Sequence, residues 1–118
     1  ERWEVQARKG VLELVVLAAL WSGRLYGLEL IRRLEGAAQL AVPEGTLYPL
    51  LRRLESQGLL VSEWREEDKR NKRFYRLSGM GLQMLTLLVV EWRSIDESLD
   101  ALLSESHHES ARPVSPGR

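Results

Sequence analysis

The segment from Gly79 to Ser104 carries helix-period hydrophobicity on two faces at once, and this limits the possible folds more than any other feature. Leu85, Val89, Trp92 and Leu99 form one stripe, and Met84, Leu88, Ile95 and Leu102 form another. A helix with two apolar faces needs two partners, one of which is the body of its own domain. A chain of 118 residues has room for one compact domain and an appended element, so little of it remains to cover the second face. The expected cover is a second protomer, reached through Leu85, Leu88, Trp92, Ile95, Leu99 and Leu102.

The preceding residues supply that body. Residues 5 to 22 read as a helix that is apolar nearly all round between Val11 and Trp21, so it must be buried on several sides. Gly23 closes it, and a second helix from Leu25 or Tyr26 presents Leu30, Ile31 and Leu34 before Gly36 ends it. A third helix spans residues 43 to 57, with Pro43 in its first turn, Leu47, Leu50, Leu51 and Leu54 on one side, and Thr46, Pro49, Arg52 and Arg53 mainly on the other. Past Gly58, residues 59 to 77 read as a β-hairpin. The run from Leu59 to Trp64 is rich in apolar and β-branched residues, and Arg73 to Leu77 alternates basic with aromatic ones. The charged run Arg65 to Lys72 is expected as the tip, with Asn71 the residue best suited to a positive φ. Ser78 is an N-cap for the last helix, and residues 105 to 118 are expected to be a disordered tail. The expected division is therefore 1–77 as the helical and hairpin domain, 78–104 as a dimerisation helix, and 105–118 as the tail.

Composition narrows the function. With 44% hydrophobic and 29% charged residues the chain is ordinary soluble-globular material, and its lack of cysteine excludes a disulfide framework or thiolate zinc and suits a reducing cytoplasm. The apolar run Val11 to Trp21 is too short to cross a bilayer, and the acidic opening has no signal-peptide character. The formal net charge of zero gives no global attraction to nucleic acid, but the distribution is uneven. Lys69, Arg70, Lys72, Arg73 and Arg76 follow one another without an acid, whereas Glu91, Asp96, Glu97, Asp100, Glu105 and Glu109 dominate the far end. A local basic stretch of this kind can engage phosphates while acidic surface elsewhere limits non-target binding.

Three helices, a hairpin and a last helix follow the plan of a winged helix-turn-helix, mainly α with a small β-hairpin, in which the third helix enters the major groove of DNA. Four blocks sharpen this: Lys9–Leu14, Leu25–Leu30, Glu44–Leu59, and Glu63–Trp64 with Phe74–Ser78. Together they closely resemble the PadR family of transcriptional regulators, over residues 8 to about 103. The resemblance implies a homodimeric repressor on a palindromic double-stranded DNA operator, with no cofactor and no enzymatic activity. A single helix after the hairpin matches the shorter members, some of which hold flat aromatic compounds between protomers. Two departures stand out: Pro43 replaces a frequent serine, and the hairpin tip lacks the usual glycines.

The candidate DNA-contacting residues are Tyr26, Glu44, Gly45, Thr46, Tyr48, Pro49, Arg52, Arg53, Lys69, Arg70, Lys72 and Arg73. Pro49 removes an N–H and crowds the carbonyl of Gly45, and together these two residues read as shaping the third helix for close approach. Thr46 and Tyr48 can donate hydroxyl hydrogen bonds to phosphate, and the arginines add charge. Tyr48 reads equally as a packed aromatic, Tyr26 as a residue packed on the third helix, and Arg52 with Arg53 as a solvated face. The hairpin cations sit where a wing would meet the DNA backbone, and Glu66, Glu67 and Asp68 are expected to point away from it.

Trp92, with Val89 and Asp96, is the candidate effector site: two indoles facing across a symmetry axis could sandwich a small aromatic compound, whereas simple packing is the alternative. A charge at Asp96 in that stripe suits a wet pore better than a dry interface. Metal and catalytic readings find little support, since His107 and His108 are adjacent in the tail and no nucleophile has an evident base. The rival reading of the whole chain is a winged-helix protein-interaction module without DNA binding.

Overall fold

A computed structural model describes residues 3–107, with side chains described from 10 to 105. The elements are α1 (Trp3–Ala19), β1 (Leu25–Tyr26), α2 (Gly27–Ala38), α3 (Glu44–Ser56), β2 (Leu60–Glu67), β3 (Arg70–Leu77) and α4 (Gly79–His107). The three strands form one antiparallel sheet in the order β1-β3-β2. The chain divides into two units, Glu1–Thr86 and Leu87–Arg118.

The core of the first unit is made by the apolar spacing of its helices. Val16, Leu17 and Leu20 from the α1 end, Leu30 and Leu34 from α2, and Leu47, Leu51 and Leu54 from α3 are all at most 2% exposed. Phe74 and Tyr75 of β3 close one side, and Leu85 of α4 is 4% exposed. Leu85 is thus core of its own unit and leaves the set expected to face a partner. Among the described residues no polar or charged side chain is buried, so apolar burial carries the stability of this unit.

Helix ends follow local chemistry. The N–H of Leu59 donates to the Leu54 carbonyl and that of Gly58 to Glu55, a Schellman closure of α3 that Gly58 permits with φ of 82°. Pro43 lies just outside α3 as its N-cap, not in its first turn, and its carbonyl accepts from the N–H groups of Thr46 and Leu47. At α2 the expectation of an end at Gly36 is corrected: the helix continues to Ala38, and Gln39 takes the left-handed conformation at φ 54°. The N–H groups of Gln39 and Leu40 both donate to Leu34, which makes up for the strain of a non-glycine residue there.

The hairpin also departs from expectation. Strand pairing runs from Leu60↔Leu77 to Glu67↔Arg70, so the charged run is strand almost throughout and the loop is only Asp68-Lys69. Both loop residues have positive φ, 54° and 64°, which matches the twist that two-residue hairpin loops require. Asn71 instead pairs with Glu66 inside the ladder, because an uninterrupted register leaves the turn nowhere else to go. β1 adds a strand beyond the expected hairpin: its two residues pair with Tyr75 and Phe74 and tie the start of α2 to the sheet.

α4 is capped by Ser78, whose Oγ accepts the Gly81 N–H at 2.9 Å and donates to the Gly58 carbonyl at 2.6 Å. The helix continues to His107, three residues past its expected end at Ser104. The rest of the expected tail, 108–118, lies outside the described residues. Among the described residues no helix is long and apolar enough to cross a membrane.

Candidate nucleic-acid interface

α3 turns its leucines inward, which leaves Glu44, Gly45, Thr46, Pro49, Arg52 and Arg53 exposed along its outer side. Pro49 stands inside the helix and has no N–H to give, so the Gly45 carbonyl lacks its i+4 donor on that side. The result is a helix start with Gly45 and Thr46 at the surface and no Pro49 N–H to serve the Gly45 carbonyl, suited to the close approach of another polar surface. An added Cβ at Gly45 would meet nothing within 4 Å, so this glycine is not required by packing within the chain.

Tyr48 is half-buried, and its ring lies directly over Gly27, where an added Cβ would sit 2.7 Å from Cζ. Gly27 therefore acts as the seat for Tyr48 and fixes α3 against the start of α2. Burial first, then the charge of Glu44 and the proximity of Tyr75, raise the Tyr48 phenol above its ordinary range, so it remains a hydroxyl donor at neutral pH. Tyr26 serves the sheet: its ring meets Phe74 edge-on at 5.4 Å, and its N–H donates to the Glu29 carboxylate at 3.1 Å.

The basic residues sort into two groups. Arg53 reaches across to α1 and pairs with Glu13. Lys72 sits 4.4 Å over the Tyr26 ring and pairs with Glu67 at 3.5 Å. Arg73 donates to Ser62 Oγ at 3.0 Å and to Glu55 at 3.3 Å. By contrast the side chains of Arg52, Lys69 and Arg70 are exposed and enter no side-chain hydrogen bond or ion pair among the described residues. Of the acids expected to point away, Glu67 is held by Lys72, and strand alternation puts Glu66 on the opposite face of the hairpin from it.

Two features have no signal in the sequence pattern. Arg24 lies 5.4 Å over Phe74 on the outer face of the sheet, and Glu63 on that face is held below the usual carboxylate range by the hydrogen bond from Arg65, aided by Arg24 and Arg76. The other is the cluster of Glu55, Ser62 and Arg73 on the α3 side, with Ser62 Oγ donating to Glu55 at 2.7 Å. The period-2 alternation of Ser62, Trp64, Arg73 and Tyr75 could have shown that these residues share a face, but not that Glu55 meets it.

In the second unit, Val89, Trp92 and Asp96 share a helix face by their i+3 and i+4 spacing. Val89 is half-buried, Asp96 exposed and Trp92 40% exposed. Leu88 is half-buried, while Ile95, Leu99 and Leu102 are exposed. Among the described residues no three metal-ligating side chains converge.

Known proteins share this arrangement. The family model described as the transcriptional regulator PadR-like family matches residues 16–87. A transcriptional regulator of Mycobacterium tuberculosis is 43% identical over 67 residues, 57% of this chain and 60% of that protein, so the match spans less than two thirds of the relative's own length. The solved structure of a PadR-like transcription factor from Bacteroides fragilis superposes with a TM-score of 0.76 at 35% identity, over 86% of this chain and 99% of the other. A PadR family regulator from Eggerthella lenta gives 0.72 at 35% identity, over 86% and 88%. The four helices and three-stranded sheet are thus a winged helix-turn-helix, and the chain belongs to the PadR-like family of transcriptional regulators.

Proposed function

We propose that this chain binds duplex DNA as a homodimer and acts in the cytoplasm as a ligand-responsive repressor on a palindromic operator. The observation that carries this reading is the exposed outer side of α3, which combines a small-residue start with Arg52, together with a hairpin whose tip presents Lys69 and Arg70, all three cations unpaired among the described residues. α3 reads the major groove with Thr46 and Arg52, and the tip grips the phosphates alongside. Tyr26 and Tyr48 supply hydroxyl donors at the start of α2 and α3, where Glu44 and Gly45 complete the surface.

The test is a salt titration on a duplex enriched from a random pool by the protein itself. Roughly six phosphate contacts per dimer give a log–log slope near −5 and about a thousandfold loss between 50 and 200 mM salt. Arg52→Ala lowers affinity by about 1–3 kcal/mol per half-site if that arginine reaches a base. Affinity indifferent to salt, or no binding, would favour a protein-interaction module instead.

The effector would stack between the two copies of Trp92, flanked by Val89 and Asp96, and would act by changing the spacing of the paired α3 helices. Planar aromatic compounds are expected to quench tryptophan emission of the wild type and to lose most of that effect with Trp92→Ala. Trp21 and Trp64, 66% and 64% exposed, supply the constant background. Equal quenching in the variant would remove Trp92 as the platform.

A further inference from the structure

The cations of the hairpin resemble one another in sequence and differ in what holds them. Lys69 in the turn and Arg70 just after it have no ion pair among the described residues, whereas Arg73, three residues along β3 from Arg70, is held by hydrogen bonds and two aromatic rings. Its Nε donates to Ser62 Oγ at 3.0 Å, a terminal nitrogen donates to Glu55 at 3.3 Å, and its guanidinium lies 5.6 Å from the Trp64 ring and 5.8 Å from that of Tyr75. Ser62 in turn donates to the other oxygen of Glu55 at 2.7 Å, which closes a three-membered ring of hydrogen bonds. Glu55 belongs to the last turn of α3, and Ser62 and Arg73 belong to β2 and β3.

We infer that Glu55, Ser62 and Arg73 form a brace that sets the angle between the groove-reading helix and the hairpin, and that Arg73 acts as a positioning residue instead of a phosphate contact. The inference rests on the DNA-binding reading and assigns a role within it. Arg73 is 41% and Glu55 30% exposed, and ion pairs at such positions contribute little to stability, so global stability alone does not account for the ring. Its geometric consequence is specific. α3 meets the hairpin near its base, against the start of β2 and close to Tyr75 of β3, and Arg73, two residues nearer the turn than Tyr75, extends that contact outward; without this tie the turn could swing relative to the helix. A swinging turn must be ordered on binding, at a cost in affinity. Lys72 on the opposite face of β3, seated on Tyr26, resists the same movement from the other side.

The sign of one substitution separates the two roles. Removing an acid near a DNA-facing surface ordinarily strengthens binding, because it removes repulsion of phosphate. If Glu55 is a brace, Glu55→Gln weakens binding by about threefold to tenfold, the cost of ordering the freed hairpin. Arg73→Gln then weakens it similarly without changing the salt slope, whereas removing an arginine that sits on phosphate would make the slope shallower by about 0.9 for each phosphate no longer neutralised. Arg70→Gln, at the tip, is the positive control for a shallower slope. The exchange Glu55→Arg with Arg73→Glu completes the test, since Ser62 can donate or accept in either polarity. Recovery of affinity in the exchanged protein supports the brace, and a further loss overturns it.

All variants are measured on the duplex selected by the wild type, with circular dichroism to confirm folding. Tighter binding by Glu55→Gln, or a shallower slope in Arg73→Gln, overturns the assignment. If the wild type shows no salt-dependent DNA binding, the DNA reading fails first. The brace is then judged without DNA, by whether melting losses of Glu55→Gln and Arg73→Gln are non-additive in the double variant, as coupled partners require. Additive losses overturn it.

Discussion

A Gly81→Val chain is expected to melt about 12–24 °C below the wild type, because a side chain at this buried position would overpack the backbone beside it. The reason lies in how α4 leaves the sheet. The N–H of Ser78 donates to the Leu59 carbonyl, its Oγ donates to the Gly58 carbonyl, and the third residue of the helix, Gly81, comes down onto the same backbone. A Cβ at position 81 would stand 3.0 Å from the Leu59 carbonyl carbon, closer still to its oxygen, and 3.3 Å from Leu77 Cδ2. Leu59 cannot rotate away, because its N–H and carbonyl are both engaged, to Leu54 and from Ser78. Overpacking against fixed backbone costs about 3 kcal/mol, and each kcal/mol is worth about 4–8 °C in a domain of this size. Gly79→Ala, where an added Cβ meets nothing within 4 Å, serves as the control and should leave the midpoint unchanged. A Gly81→Val midpoint within a few degrees of the wild type would mean that α4 and the start of β2 are not so closely joined.

That junction also shows which parts of the fold can be read from sequence. Ser78 as a cap, Gly58 as a helix stop and the leucines of α3 as its inward face are local signals, and each depends on chemistry within about four residues. Features set by distant partners are not legible in this way. β1 is two residues long, too short for any alternation to appear, and exists because β3 offers it a partner. The turn falls at Asp68-Lys69 because the register of β2 with β3 puts it there, although Asn71 is better suited to positive φ.

The same limit governs the interface. Pattern alone groups Arg52 with Arg53 and Lys69 with Arg73. What separates them is Glu13, forty positions away from Arg53, and Glu55, eighteen positions away from Arg73. Periodicity likewise groups Leu85 with the outer stripe of the last helix, because it identifies a face without saying which neighbour that face meets. The near-complete burial of Leu85 in its own unit takes it out of the set of residues that could face a partner.

Placing aspartate at both Ile95 and Leu99 is expected to leave the winged domain folded and to lower operator affinity by about 10²–10⁴-fold. Ile95 is 52% and Leu102 61% exposed on one stripe, and Leu99, 50% exposed, lies between that stripe and the other. Exposed large apolar side chains in such a row exceed the scattered ones that a monomer tolerates, and in the proposed homodimer a second copy related by a two-fold axis presents the same row in return. Two buried aspartates without partners would cost more than this interface returns, so the chains should separate. Each winged domain would then meet one half-site with its own modest affinity, and the linkage that turns the second binding event into an intramolecular one would be gone. Sedimentation at micromolar concentration should show a dimer for the wild type and a single chain for the variant, with the thermal transition of the winged domain retained. Retained dimerisation would place the interface on another surface, and a variant that is monomeric yet binds as tightly as the wild type would remove pairing from the mechanism.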